Sequence, residues 1–135
     1  MILLDTDVLI DFALDREPHA EPAATLLSHL ERAPKTAFVA WHSLSNFYYL
    51  VRPVRGGDET RAFLAELCTF VTVAPTDTEA LRLAARLPLG DFEDAMQVAA
   101  ARSCGVELIV TRNLKDYEGS PVPAVTAEEA LERLG

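Results

Sequence analysis

Five short apolar runs, each parted from the next by segments of helical periodicity, constrain this chain more than any other feature. The runs are Ile2-Leu3-Leu4, Thr36 to Ala40, Phe70 to Val73, Leu108 to Val110 and the weaker Ala124-Val125. Runs this short and this rich in branched and aromatic side chains read as strands, because helices need longer periodic stretches. Val8, Leu9, Phe12 and Ala13 recur at helical spacing after the first run, and Leu26, Leu27 and Leu30 give an apolar face to a second helix from about Glu21 to Arg32. Strands that alternate with helices are joined by crossovers, so they run parallel and helices cover both faces of the sheet. The expected fold is α/β: a three-layer α/β/α sandwich around a central parallel sheet of about five short strands.

Local signals punctuate the rest. Ser43 is placed to cap a helix through Leu50 that stops near Pro53, since proline disfavours helical geometry in the residue before it. Gly56-Gly57 marks a turn, Asp58 can cap a helix reaching Cys68, and Thr76 or Asp77 opens another through Arg86. After Pro88-Leu89-Gly90, Asp91 starts a helix whose face includes Ala95, Val98, Ala99 and Arg102, and Gly105 ends it. Thr111 to Glu118 reads as a polar loop, and Thr126 with Glu129 forms a capping-box signature for a last helix. No linker, repeat or low-complexity stretch divides the chain, so residues 1–135 are expected to form one domain.

Half of the residues are hydrophobic, enough for one core without staples. Charged residues interrupt every apolar stretch well before the ~20 residues of a membrane span, and no basic region precedes an apolar one at the amino terminus. A soluble, cytoplasmic protein with no membrane partner is expected. Cys68 and Cys104 lie in apolar helical contexts without metal-ligand spacing, which predicts buried free thiols, and His19, His29 and His42 read as scattered surface or packing residues. The net charge of −9 repels nucleic acid, unless metal ions neutralise the excess acid locally or a basic partner supplies the missing charge.

In parallel sheets ligands sit beyond the carboxyl ends of the strands, where the strand order reverses. Asp5 directly follows the first strand, Asp116 follows the Leu108–Val110 strand by a short loop, and Asp94 lies in the first turn of a helix. Each acid has a plainer role open to it: Asp5, Asp7 and Asp91 can cap helices, Glu93 and Asp94 suit the positive end of a helix dipole, and Asp116 can be a solvated loop residue. Their joint placement suits a hard divalent ion such as Mg²⁺ or Mn²⁺, which takes oxygen ligands and leaves positions for a phosphate. Phe47-Tyr48-Tyr49 and Trp41 read as packing, while Arg112 and Lys115 are candidate phosphate contacts.

Three segments carry a family resemblance: Leu4-Asp5-Thr6-Asp7-Val8-Leu9-Ile10-Asp11, Gly90-Asp91-Phe92-Glu93-Asp94-Ala95-Met96-Gln97-Val98-Ala99-Ala100, and Ile109-Val110-Thr111-Arg112-Asn113-Leu114-Lys115-Asp116-Tyr117. In order and spacing they resemble the signature blocks of PIN domains, including the VapC-type toxins, across nearly the whole chain. The resemblance implies a metal-dependent endoribonuclease in which an acid quartet binds one or two Mg²⁺ or Mn²⁺ ions and a metal-activated water attacks an RNA phosphodiester. Asp5, Asp94 and Asp116 match the first, central and late acids of that quartet, and Thr111 and Asn113 match polar residues beside it. The second acid, usually a Glu, is replaced by Asn46, whose amide oxygen can coordinate but brings no charge and cannot act as a base. Asp7, where the family often has Asn, and Asp91 are candidate substitutes. The resemblance further implies a homodimer and a small antitoxin partner that reaches into the acidic site.

Two other readings stand beside this one. A PIN-like binding module would keep the fold and lose cleavage, as Asn46 and the net charge suggest. A HAD-type phosphatase would use Asp5 as nucleophile and Asp7 as acid/base. Against the phosphatase, Val8 replaces the glycine usual after the second Asp, a predicted helix precedes Gly90-Asp91, and neither Lys35 nor Lys115 sits at that family's lysine position.

Overall fold

A computed structural model describes residues 1–134. Strand β1 (Ile2–Leu4) runs through the middle of a five-stranded parallel sheet of order β3-β2-β1-β4-β5. On one side lie β2 (Ala37–Val39) and β3 (Val71–Val73), and on the other β4 (Ile109–Val110) and β5 (Ala124–Val125). Leu4 stands in register with Val39 of β2 and Val110 of β4. Because successive side chains leave a strand on opposite faces, Ile2 and Leu4 enter one helical layer and Leu3 the other.

The first layer holds α1 (Thr6–Ala13), α2 (Ala20–Arg32), α3 (Trp41–Arg55), α4 (Gly57–Leu67) and α7 (Ala127–Leu134), whose Val8, Leu26, Phe47, Leu67 and Ala130 pack with Ile2 and Leu4. In the second, Leu3 meets Val98 and Ala101 of α6 (Phe92–Ser103), and α5 (Thr78–Arg86) packs on α6 through Ala80, Ala84, Ala95 and Ala99. Small alanines let these two helices approach closely. Leu3 and Leu4 are fully buried, each contributing roughly 1.5–3 kcal/mol by leaving water. This is the three-layer parallel α/β architecture expected from the strand–helix alternation.

Several local expectations are corrected. Helix α3 begins two residues before Ser43, with Ala40 in extended conformation ahead of it, and Ser43 is buried inside the first turn instead of capping it. The helix also continues through Pro53 to Arg55. Pro53 is exposed, so the hydrogen bond its ring removes faces water, while buried Phe47 and Val51 and a 2.8 Å bond from Arg55 Nε to the Ala13 carbonyl hold the helix down. It ends at Gly56, whose φ of 85° favours a residue without Cβ and which also precedes α4, the place expected for Asp58. Cys68 is exposed and Cys104 half-buried, both free. No helix of the described residues is long and apolar enough to cross a membrane.

One ion pair ties α1 to the loop after β4. Arg112 Nε donates to Asp11 Oδ2 at 2.8 Å, and Asp11 is only 2% exposed. Arg112, a candidate phosphate contact in the sequence, is thus paired with Asp11 in the structure. Arg112→Leu strands a buried carboxylate and is expected to lower unfolding free energy in urea by about 3–5 kcal/mol, with much of the loss recovered in the Asp11→Leu/Arg112→Leu double variant. A single variant as stable as the native chain would show that Asp11 needs no partner.

Candidate active site

The order of the sheet reverses between β1 and β4, since β2 and β3 add to one side of β1 before the chain returns to the other. Asp5 and Thr111 are the first residues beyond those two strands, at the point where such sheets open a crevice. There a cleft of about 500 Å³ is lined by Asp5, Asp7, Glu93 and Asp94, with Asn46 and Tyr49 from α3 and Asn113 from the loop after β4.

Asp5 is nearly buried and fully engaged. Its Oδ1 accepts from the Thr6 backbone N–H at 2.7 Å and from Gln97 Nε2 at 3.1 Å. Its Oδ2 accepts from Thr111 Oγ1 at 2.9 Å and from the Tyr117 hydroxyl at 2.8 Å. Four donors thus meet a group with about four acceptor sites. The Thr111 hydroxyl also lies 3.0 Å from Asp7 Oδ2, and the Tyr117 hydroxyl 3.4 Å from Asp94 Oδ1. Each hydroxyl has one proton, so each serves one carboxylate of its pair at a time. Asp7 is further held by Asn113 Nδ2 at 3.0 Å and by the Arg112 backbone N–H at 3.3 Å.

This crowding raises proton affinity. Burial, and then the charge of Asp5, push the Asp7 carboxyl up to about 7. Burial, followed by the charges of Asp5, Asp91 and Asp116, pushes Asp94 up to about 7 as well. Asp5 is also raised by burial, against the pull of its hydrogen bonds. Burial and the neighbouring carboxylates hold the Tyr117 phenol far above its ordinary range, so it remains a donor. Burial pushes His42 down, and its buried Nε2 has no hydrogen-bond partner among the described residues.

The structure distributes the expected site residues unevenly. Asp5, Asp94, Asp7, Asn46 and Asn113 share the cleft, with Thr111 buried beneath Asp5 and Asp7. Asp116 does not line it: on the 3₁₀ turn Leu114–Tyr117 it is exposed and Tyr117 takes the inward position, so Asp116 acts on Asp94 through its charge. Asp91 caps α6 by accepting the Asp94 N–H at 3.1 Å, and Lys115 is exposed outside the cleft. Trp41 and Tyr49, expected to pack, are 71% and 65% exposed. Two residues had no role assigned from the sequence, Tyr117 and Gln97. Gln97 stands three positions after Asp94, on the same helical face, and a lone amide among the alanines and valine of that segment was the available signal.

The sequence model of the PIN domain matches residues 1–115. The chain belongs to the PIN-domain family. Among solved structures, this PIN domain is similar to VapC20 of Mycobacterium tuberculosis, described as a toxin that cleaves the sarcin-ricin loop: 20% identity and a TM-score of 0.65 over 81% of this chain and 87% of the other. DNA-bound VapBC from Salmonella typhimurium shares 18% identity and a TM-score of 0.70 over 93% and 97% of the two chains. A toxin–antitoxin complex from Klebsiella pneumoniae shares 22% and 0.70 over 94% and 98%. At these identities the likeness is one of fold. No curated protein sequence matches the chain.

The donor chemistry of the cleft fits a hard divalent cation. Two carboxylates, Asp7 and Asp94, pushed up to about 7 by burial and then by the charge of Asp5 present the imbalance that a bound cation relieves. Among the described residues no three acidic, histidine or cysteine side chains form a ready-made cage.

Stability should follow. Asp7 and Asp94 titrate near 7 when folded against an ordinary 3.8, so the folded state binds more protons between those values. Their contribution is complete below the lower value and lost as pH rises through the upper one. The chelated protein is expected to lose melting temperature between about pH 5.5 and about pH 8, with Asp7→Asn flattening the loss and Mn²⁺ reversing it at the upper pH. A melting temperature that climbs across this window would contradict the account.

Proposed function

We propose that this PIN domain is a divalent-metal-dependent endoribonuclease of the VapC toxin type. The observation that carries the reading is the packing of Asp5, Asp7 and Asp94 into one desolvated cleft at the β1–β4 reversal, with two of the three raised to about 7. Such an arrangement costs stability and serves no packing purpose, as expected of a functional site. Asp5 and Asp94 hold Mg²⁺ or Mn²⁺, the Asn46 amide oxygen is available from the α3 wall of the same cleft, and Asp116 adds negative potential from the rim. When bound, the ion supplies charge neutralisation for the phosphate and a lowered pKa for the attacking water.

The chain's own residues prepare that event. Gln97, Thr111 and the Thr6 N–H fix the Asp5 carboxylate in one orientation. Tyr117 joins Asp5 to Asp94, and Asn113 ties Asp7 to the loop after β4. Partners in this reading are RNA, a second copy of the chain, and a small antitoxin whose basic residues complement a net charge of −9.

A second reading, a PIN-like module that binds without cutting, is favoured by Asn46, which leaves α3 without a carboxylate in the cleft. Purified protein is expected to cleave a mixed RNA pool in Mn²⁺ and to lose at least ~100-fold of that rate in Asp5→Asn or Asp94→Asn. Intact RNA with the native chain, and cutting only after Asn46→Glu, would establish the binding module instead. Release of phosphate from small phosphomonoesters without RNA cleavage would revive the phosphatase.

A further inference from the structure

We propose that the α3 wall of the cleft is a nucleobase-stacking subsite, with Tyr49 as its platform and Arg16 as its one phosphate contact, so that the strand entering the site is unpaired RNA held mainly by stacking. The inference rests on the nuclease reading above and adds how such a chain grips a polyanion.

Ser45, Asn46, Tyr49 and Leu50 recur along one face of α3 and line the cleft together with the acids. Tyr49 is 65% exposed, although Phe47 two residues earlier is fully buried in the core. Its ring meets Tyr48 edge-on, with centroids 5.0 Å apart and planes at 88°. Tyr48 in turn lies beneath the Arg61 guanidinium, 5.7 Å from its centroid. The platform is therefore braced by a second ring while much of its own surface stays open beside Asp5 and Asp94.

Charge excludes the usual means of holding nucleic acid. The cleft carries Asp5, Asp7, Glu93 and Asp94 against one cation, Arg16, and the whole chain is at −9. Arg16 is exposed in the turn after α1, follows Asp15 at a φ of 53°, and has no carboxylate partner among the described residues. One free guanidinium can neutralise one phosphate, whereas nucleic-acid binders ordinarily use many. Beyond what this guanidinium and a bound divalent ion supply, affinity comes from surface that ignores charge, and an exposed ring provides it to any base whose face is free. A base stacked on Tyr49 cannot remain paired and stacked within a duplex.

The test is fluorescence-anisotropy binding of a short unpaired RNA to the native chain in Ca²⁺, with the RNA checked for cleavage on a gel. Tyr49→Ala is expected to weaken binding by about tenfold, and Tyr49→Phe to stay within about twofold. The salt dependence should be shallow, with a log–log slope of about −0.7 that flattens in Arg16→Ala. Unchanged melting temperatures would exclude misfolding as the cause. Tyr49→Ala that binds RNA like the native chain overturns the inference, and if it also converts a dimer to a monomer in sedimentation, this face joins two copies instead. Native protein that binds Mn²⁺ but no RNA overturns both the subsite and the nuclease reading, whereas the Tyr49→Ala result alone leaves the nuclease reading standing.

Discussion

The parallel pairing of β1 with β4 is the constraint on which the rest depends. Asp5 sits where that pairing stops: its backbone N–H still donates to the Val110 carbonyl at 2.9 Å, while its side chain accepts the first free N–H of α1. One residue thus closes a strand and opens a helix, and has little freedom to move. On the facing strand Thr111 donates its N–H to Val125 of β5 at 2.9 Å and turns its hydroxyl toward Asp5. Backbone hydrogen bonds set the separation of these two side chains, so the site inherits the rigidity of the sheet.

That rigidity is what allows acids to be packed so closely. Isolated in an apolar interior, a carboxylate gains a proton or draws in water. Here the donors Thr6, Gln97, Thr111 and Tyr117 converge on Asp5, and three of the four come from elements anchored by buried apolar residues. The number of protons in the cluster is smaller than the number of acceptors they face, because Thr111 and Tyr117 each stand between two carboxylates. The frustration left over falls on Asp7 and Asp94, and it is there that proton affinity rises most clearly.

Much of this was legible in the sequence. Strand–helix alternation depends on side-chain periodicity, a local property, and it led to the sheet and its layers. The capping box at Thr126 and Glu129 formed as read, with each backbone N–H bonded to the other residue's side chain at 3.0 and 3.2 Å. What failed was whatever depends on tertiary context. Ser43 is a polar residue ahead of a helical run, but it was claimed by Gln97, 54 residues away, at 2.6 Å. Pro53 was overridden by packing on either side of it. Asp116 and Tyr117 are neighbours, and only the phase of a single 3₁₀ turn decides which points inward. Tyr49 follows a core residue closely enough that periodicity alone could not separate them.

The replacement of the family's usual second acid by Asn46 takes on a different aspect in three dimensions. Asn46 and Asp7 lie far apart in sequence yet line the same cleft, and the family pattern has an acid at the first position and often an amide at the second. The cleft therefore carries an acid, Asp7, on its α1 wall and an amide, Asn46, on its α3 wall, the reverse of the pattern that the resemblance implies. The exchange is not equivalent. Asp7 is bound by Thr111, Asn113 and the Arg112 backbone, which occupy its oxygens from the β4 side, while Asn46 makes no side-chain hydrogen bond among the described residues and offers a neutral oxygen. In the proposed site Asp7 then contributes field and Asn46 contributes a donor atom. Removing charge from α3 also leaves the wall beside Tyr49 less repulsive to a phosphate, which is where a chain of net charge −9 has most to gain.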